Sequence, residues 1–286
     1  MTFAAFILTH GRPERVVTYA TLRRAGYTGR IVLIVDDEDT AVSDYIAKYP
    51  GEVEVFSKSE IAKEFDSADN FTDRRAIVYA RNAAFKIAED LGIEAFIQLD
   101  DDYGEFQYRW GDGEHYNRFA TVKNLDRVFA SAVQFLEKSP VLSVAFAQTG
   151  DYIGGAGSNI AHSVLRRRKA MNSFVCLTKR RFYFHGRINE DVNTYTHGGS
   201  KGQIFLTIPQ IAIVQGSTQQ HHGGMTELYK AGGTYLKSFY SVLFQPSSVR
   251  IGAMGDPHLR IHHKVKWGQT VPMILPESTR KKLVKA

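Results

Sequence analysis

Short apolar runs alternate with longer amphipathic segments over about the first 100 residues of the chain. The apolar runs are typical of buried strands and occupy residues 3–8, 30–35, 52–56 and 95–99, and the run at 30–35 is rich in β-branched residues. Helix-like periodicity fills residues 14–25, 40–49 and 82–91, and glycine or Pro-Gly follows each of them. Strands that alternate with helices imply right-handed βαβ crossovers. The pattern therefore predicts an α/β fold with a mainly parallel central sheet flanked by helices.

The second half of the chain has a less regular pattern. It predicts a helix at residues 125–136, strands at 141–147, 173–178 and 204–214, and a glycine-rich loop at 150–159. The sequence contains no internal repeats, low-complexity tracts or linker-like segments. We therefore expect a single domain over residues 1–286, a size that α/β folds reach.

Three polar clusters each follow a predicted strand directly. They are Thr9–Pro13, Asp36–Asp39 and Asp100–Asp102. In an open parallel sheet, ligands bind beyond the carboxyl ends of the strands. We therefore expect the three clusters to converge at one edge of the sheet and to form the binding site.

The third cluster indicates a specific chemistry. In FIQLDDDYGEF, three adjacent carboxylates end an apolar strand and repel one another. Alternate residues of an extended segment point the same way, so Asp100 and Asp102 can share a face while Asp101 points elsewhere. This D-x-D spacing suits the binding of a hard divalent cation, although the same three aspartates could instead form a turn exposed to solvent.

Composition narrows the class of protein. The 43% hydrophobic content is ample for a sizeable core, and the single cysteine, Cys176, excludes an intramolecular disulfide. The N-terminal MTFAAFILTH lacks the features of a signal peptide, and no apolar stretch approaches the roughly 18 residues that a membrane span needs. We expect a cytoplasmic protein without a membrane partner.

Charge is distributed unevenly along the chain, whose formal net charge is +6. Basic residues collect at 166–169, 179–181, 262–266 and 280–282, whereas residues 36–69 and 100–114 are acid-rich. This separation suits a protein that holds a metal in one region and a polyanion in another, although many basic proteins bind no nucleic acid.

Further candidate residues lie outside the aspartate cluster, and each has a structural alternative. The Asn189-Glu190-Asp191 triplet could supply a general base, or it could begin a helix that Asn189 caps. Arg81 could meet a phosphate or pair with a nearby acid. Imidazoles at His221-His222 and His262-His263 could complete a Mn²⁺ site or be ordinary surface histidines.

Two segments of the second half offer weaker binding features. Gly154–Gly157 could let backbone amides approach a diphosphate or simply form a loop, and its GGAG matches neither a Walker nor a Rossmann fingerprint. Tyr229–Tyr240 interleaves aromatic residues with lysines, so it could stack on a sugar or base, or pack in the core.

Four blocks of the sequence resemble a known enzyme class. They are FILTHGRPERVVTYATLRRAGYTGRIVLIVDDED, the YARN of residues 79–82, FIQLDDDY and GRINEDVNTY. In this order they resemble the nucleotide-sugar glycosyltransferases of the GT-A class, and within it the TET-associated glycosyltransferases, found largely in bacteriophages. The resemblance extends from Phe6 to about Trp267. It implies a GT-A-like single domain with a Rossmann-like sheet, about residues 1–105 forming the nucleotide-sugar-binding half and about 106–286 the acceptor-binding half.

The resemblance also implies a reaction and its partners. A sugar would move from a UDP-sugar donor to a 5-hydroxymethylpyrimidine in DNA, in the first place 5-hydroxymethylcytosine, that a TET-like oxygenase had made. A divalent metal, Mn²⁺ or Mg²⁺, would bridge the donor diphosphate.

Carried over residue by residue, the resemblance assigns roles to individual positions. Asp191 is the first choice as catalytic base and Glu190 the second. The metal ligands would be Asp102, Asp100 and, in preference to His263, His262. The donor-binding residues would be Thr9, His10, Gly11, Arg12, Asp36, Asp37, Arg81, Asp100 and Asp101.

Other functions remain compatible with the sequence. The same fold and donor could serve a protein or glycan acceptor. The chain could also be a DNA-binding module with a vestigial site, but intact Asp100, Asp102 and Asp191 oppose that reading. A metal-dependent nuclease or phosphotransferase would leave the Asn189-Glu190-Asp191 triplet without a role.

Overall fold

A computed structural model describes most of the chain. The described residues are 1–69, 74–111, 118–152, 172–215, 236–254, 259–270 and 277. Among them, no helix is long and apolar enough to cross a membrane.

A large sheet runs through the structure. Its strands are β1 (Phe3–Leu8), β2 (Arg30–Asp36), β3 (Val53–Phe56), β4 (Ala95–Asp100), β5 (Tyr103–Trp110), β6 (Arg118–Thr121), β7 (Ser143–Gln148), β8 (Phe174–Leu177) and β9 (Phe205–Gln215). They lie in the order β3-β2-β1-β4-β8-β7-β9-β5-β6. In the part of the chain that the structure describes, seven of these nine strands run in one direction, and β5 and β8 run in the other.

Helices cover both faces of the sheet. They are α1 (Val17–Arg24), α2 (Val42–Lys48), α3 (Lys58–Ile61), α4 (Val78–Asp90), α5 (Leu125–Lys138) and α6 (Glu190–Ser200), and residues 236–244 are also helical (α7). Side chains alternate along β1, so Ala5 and Ile7 pack in one apolar core with α1, α2 and α5. Phe6 and Leu8 point the other way and pack with α3, α4 and α6.

A separate two-stranded antiparallel ribbon follows α7. It consists of β10 (Val249–Met254) and β11 (Arg260–Val265). Val265 and Trp267 pack against the same core as α4 and α6, so the ribbon is attached on that side of the sheet.

The predicted α/β fold with a mainly parallel sheet flanked by helices is confirmed. The helix predicted at residues 14–25 is shorter, because Pro13–Arg15 forms a 3₁₀ turn and α1 begins only at Val17. The helix predicted at 82–91 starts earlier, so the YARN residues 79–82 lie inside α4 rather than before it. The single-domain organisation over residues 1–286 stays a prediction.

Candidate active site

The three polar clusters at the strand ends meet, as predicted. His10 Nδ1 lies 2.8 Å from Asp36 Oδ2, and the backbone N–H of Gly11 donates to Asp39 Oδ2 at 2.6 Å. Arg12 reaches the third cluster and binds Asp101. The ends of β1, β2 and β4 are adjacent in the sheet, so their loops necessarily share one edge.

Asp101 is used to hold the loop after β1. Its carboxylate accepts two parallel hydrogen bonds from Arg12, both of 2.7 Å, and a third of 2.7 Å from the Thr9 hydroxyl. Its exposed fraction is 1%, and burial raises its pKa more than Arg12 and Thr9 lower it. Asp101 thus turns away from the site into the protein, which agrees with the alternation expected for D-x-D.

A second charged group links the ends of β1 and β2. Lys58 Nζ lies 2.8 Å from Asp36 Oδ1, on the opposite side of that carboxylate from His10. Burial acts to raise the pKa of Asp36, but the hydrogen bonds from His10 and Lys58 outweigh burial and the pKa is lowered. The hydrogen bond to Asp36 in turn raises the pKa of His10. Sequence reasoning missed Lys58 because it follows β3 and no polar cluster marks it.

Asp37 lies beside this group and is exposed. Its carboxylate accepts the backbone N–H of Lys58 at 2.9 Å. One carboxylate oxygen therefore ties β2 to the start of α3.

Arg81 joins the aspartate cluster to the Asn189-Glu190-Asp191 triplet. Its guanidinium donates to Asp100 Oδ1 at 3.0 Å and to Glu190 Oε1 at 2.9 Å. A third hydrogen bond of 3.1 Å goes to the carbonyl of Asn172. The side chain is 1% exposed, and its guanidinium carbon lies 5.3 Å from the ring centre of Phe174. Of the two alternatives for Arg81, pairing with a nearby acid is therefore the one observed.

This network leaves an excess of negative charge at the end of β4. Burial raises the pKa of Asp100 to about 7, because Arg81 offsets burial only in part and Asp102 and Glu190 add repulsion. Burial also raises the pKa of Glu190 despite its ion pair with Arg81. A single guanidinium thus serves two carboxylates, that of Glu190 buried and that of Asp100 partly exposed, and a further positive charge at this position would be favourable.

Asp102 is held by a residue that sequence reasoning missed. The Gln215 amide nitrogen donates to both carboxylate oxygens of Asp102, at 3.0 and 3.1 Å. The Gln215 carbonyl accepts a hydrogen bond of 3.0 Å from the amide of Gln148. Gln215 ends β9, which pairs with β5 immediately after the aspartates. No local signal marks a glutamine at the end of a strand, so only the pairing of β5 with β9 identifies it.

The residues at this edge fit a divalent cation of the Mg²⁺ or Mn²⁺ type. Asp100 and Asp102 offer hard oxygen donors next to uncompensated negative charge. Among the described residues, no group of three His, Cys, Asp or Glu side chains could hold a metal ion. Mg²⁺ sites commonly use one or two carboxylates together with substrate phosphates and water, so two aspartates are a sufficient protein contribution.

The structure does not bring His262 into such a group. His262 lies on β11, where its register partner is Gly252 of β10. Neither its assignment nor that of His263 as a metal ligand gains support. The histidine pair His221-His222 lies outside the described residues.

The Asn189-Glu190-Asp191 triplet occupies the start of α6. Glu190 and Asp191 lie in the first turn, as the helix alternative predicted, but the Asn189 side chain makes no capping hydrogen bond. Instead, Asn189 has a left-handed backbone with φ of 56° and donates to the carbonyl of Lys237 in α7 at 2.6 Å. Asp191 is 6% exposed. The triplet is therefore the start of α6, which Asn189 ties to α7.

Some predicted features lie outside the described residues. They are Gly154–Gly157, the basic residues 166–169, the basic residues 280–282 and the first part of Tyr229–Tyr240.

Comparison with known proteins identifies the family. The family model of TET-associated glycosyltransferases matches residues 3–224. The chain belongs to this family. The predicted family is thereby confirmed. The match ends before α7, β10 and β11, so it includes the strand-end clusters, Arg81 and the Asn189-Glu190-Asp191 triplet but not His262 and His263. No curated protein sequence matches the chain.

Solved structures of glycosyltransferases are similar at low identity. Staphylococcus aureus TarS is 13% identical over 77% of this chain and 37% of its own, with a TM-score of 0.45. A Pyrobaculum calidifontis mannosyltransferase in complex with GDP-mannose and Mn²⁺ is 15% identical over 81% and 61%, with a TM-score of 0.46. Mycobacterium tuberculosis glucosyl-3-phosphoglycerate synthase in complex with Mn²⁺, UDP and phosphoglyceric acid is 8% identical over 98% and 90%, also with a TM-score of 0.46. The chain thus spans about a third of the TarS chain.

Proposed function

We propose that this protein transfers a sugar from a UDP-sugar to 5-hydroxymethylpyrimidine, principally 5-hydroxymethylcytosine, in DNA. The observation that carries the proposal is the Asp100–Arg81–Glu190 network, which joins a D-x-D motif to a second pair of acids in one buried site. A transferase needs both parts, because one must stabilise the leaving diphosphate and the other must activate the acceptor. The family name supports the acceptor.

The donor would lie at the loops after β1, β2 and β4. His10 is exposed and Arg12 is partly exposed there. The buried carboxylates of Asp36 and Asp101 bind these two side chains and hold them in place, and Thr9 in turn binds Asp101. Asp100 and Asp102 would hold the divalent cation together with the two phosphates. When bound, the cation supplies positive charge that stabilises the diphosphate as it leaves.

Asp191 is the proposed general base. It would take the proton from the hydroxymethyl oxygen as that oxygen forms a bond to the anomeric carbon of the sugar. The bond from that carbon to the diphosphate oxygen breaks, and its electron pair leaves with the UDP. Glu190 is less suited to this role because Arg81 holds one of its oxygens at 2.9 Å. Glu190 would instead fix the turn that positions Asp191.

The proposed acceptor implies that an oxidation of the pyrimidine precedes the sugar transfer. A 5-hydroxymethyl group on a pyrimidine arises when an oxygenase of the TET type hydroxylates a 5-methyl group, so such an enzyme would supply the substrate. We also propose that the protein acts in the cytoplasm, which would be the cytoplasm of the host cell if a phage carries the gene. The reasons are that the proposed acceptor is DNA and that Cys176 is a free, buried thiol.

The test is to incubate the protein with DNA containing 5-hydroxymethylcytosine, Mn²⁺ and a panel of UDP-sugars, and to weigh the digested nucleosides by mass spectrometry. We expect a gain of one sugar residue that EDTA abolishes. Hydrolysis of a UDP-sugar without modification of any DNA would reject the acceptor and favour a protein or glycan instead.

Variants separate the roles of the acids. Asp102→Ala should abolish transfer while the protein stays folded. Asp191→Asn should lose turnover and keep its UDP affinity in calorimetry, whereas Glu190→Gln should keep part of its turnover. If Asp191→Asn remains active and Glu190→Gln does not, Glu190 is the base.

A further inference from the structure

The ribbon of β10 and β11 carries a basic face that the proposed reaction does not use. Residues that are directly opposite in an antiparallel pair lie on the same face, and Arg250 is opposite Lys264. Gly252 and His262 take the next position on that face. The Lys264 side chain lies along the ribbon over Gly252, since a Cβ at Gly252 would meet the Lys264 Cδ and Cε atoms at 2.7 Å.

This arrangement of cations is unfavourable for the isolated protein. Like charges directly opposite each other destabilise a strand pair. Arg250 and Lys264 are both exposed, as is Lys266 after β11. Among the ion pairs of the described residues, none involves these three side chains, whereas Lys63, Arg74 and Lys86 on the same side of the sheet each pair with an acid. An anionic partner would remove the repulsion.

The ribbon is fixed next to the catalytic acids. The Ser238 hydroxyl of α7 donates to the carbonyl of Ile261 in β11 at 3.1 Å. On the preceding residue of the same helix, the carbonyl of Lys237 accepts the Asn189 amide. Adjacent residues of α7 therefore contact the ribbon and the turn that leads into Asp191. At the base of the ribbon, the Trp267 ring stacks on that of Tyr195 in α6, with centroids 5.7 Å apart.

We propose that the basic face of the β10–β11 ribbon binds the phosphate backbone of duplex DNA and so presents the acceptor to Asp191. This inference rests on the proposed function for the identity of the polyanion. A two-stranded ribbon fits the major groove of B-DNA, which is about 12 Å wide. Position 5 of a pyrimidine faces that same groove, so a ribbon there approaches the duplex from the side that carries the hydroxymethyl group. The ribbon lies beyond the residues that the family model matches.

The experiment measures binding of the full chain to a fluorescent duplex by anisotropy, without donor or metal. The test variant is Arg250→Ala/Lys264→Ala. The matched control is Arg127→Ala/Lys138→Ala, which removes the same two charges from exposed positions on α5, on the other face of the sheet. Loss of two phosphate contacts should reduce the slope of log K against log salt by about 1.8. Between about 50 and about 200 mM salt, wild-type affinity should then fall about 12-fold more than that of the test variant.

Binding and transfer are scored separately. A test variant that binds like the wild type, or a control that loses as much affinity as the test variant, overturns the proposal. A wild-type protein with no affinity for duplex DNA overturns it as well. Ribbon-dependent binding without sugar transfer would support the ribbon and reject the proposed acceptor chemistry. Arg250→Gln/Lys264→Gln, which removes both charges but keeps a polar side chain with a two-methylene stem at each position, replaces the alanine variant if that variant is unfolded by circular dichroism.

Discussion

Arg81→Met would remove the guanidinium that pairs with both Asp100 and Glu190 while keeping most of the apolar stem. The side chain is 1% exposed and donates to two carboxylates and one carbonyl. Removing one partner of a buried ion pair typically costs about 3–5 kcal/mol, because the other charge stays buried without compensation. Because two carboxylates lose their ion-pair partner, we expect the free energy of unfolding to fall by about 3–5 kcal/mol at pH 7.

The loss should depend on pH in a definite direction. Burial already raises the pKa of Asp100 to about 7 and raises that of Glu190, and removing Arg81 raises both further. The folded variant then holds protons that the unfolded chain has released, so its stability increases as the pH falls from about 8 towards the unfolded values. The slope is at most about 1.4 kcal/mol per pH unit for each group. Wild type shares part of this slope through Asp100 and Glu190, so the quantity to compare is the free energy of unfolding of the variant minus that of the wild type.

Urea denaturation from pH 5 to pH 8 measures both effects. Arg180→Met is the matched control, because Arg180 Nη1 donates to three backbone carbonyls, of Leu136, Ser139 and Val141, at 2.7 to 3.0 Å. Arg180 Nη2 also donates to the carbonyl of Glu137 at 3.4 Å. That variant therefore loses an arginine that is bonded to backbone carbonyls and leaves no carboxylate unpaired, so its loss in the free energy of unfolding should be independent of pH. An Arg81→Met loss below about 1 kcal/mol, or one with the pH dependence of the control, would refute the buried-network reasoning.

Three further changes test other parts of the structure. Gln215→Ala removes both hydrogen bonds to Asp102 and should weaken Mn²⁺-dependent binding of UDP several-fold in calorimetry, while the melting temperature stays unchanged. A UDP affinity equal to that of the wild type would show that Asp102 does not need Gln215 to position it. Gly26→Ala should lower the free energy of unfolding, measured by thermal denaturation, by about 1–3 kcal/mol, because Gly26 has a φ of +82° and a Cβ there would collide with the Lys123 carbonyl. An unchanged free energy of unfolding would contradict the tight turn after α1. Cys176 is fully buried, and burial raises the pKa of its thiol to about 12. The thiol should therefore react with iodoacetamide at pH 8 only after the protein is denatured. Fast labelling of the native protein would contradict the burial of Cys176.

The local pattern was sufficient for the first half of the fold. Each strand from β1 to β4 is a run of mainly apolar residues whose length is visible in the sequence, and helices follow β1, β2 and β3. Because parallel neighbours must align their carboxyl ends, the meeting of Thr9–Arg12, Asp36–Asp39 and Asp100–Asp102 followed from the order of elements alone. The inward turn of Asp101 followed from the two-residue period of an extended chain.

The pattern was less informative about the acids near residue 190. The sequence marked Glu190 and Asp191 as candidates, and resemblance to a family suggested their role. Their connection to Asp100 depends on Arg81, which is 109 residues before Glu190 and lies just outside the helix predicted at residues 82–91. A helix that starts one turn earlier places that guanidinium inside the protein, and helix boundaries are weakly encoded in the sequence.

What the sequence by itself determined is therefore the set of candidate reactive groups and the sheet edge at which the first of them meet, because both follow from local patterns: polar clusters at strand ends, and strands that alternate with helices. The tertiary structure alone decided which distant side chains complete the site. Gln215 reaches Asp102 because β9 pairs with β5, and His262 lies on a basic ribbon beside α7 instead of among the aspartates because β11 pairs with β10. Strand pairing over long separations is set by packing of the whole core, and no short segment of the sequence encodes it.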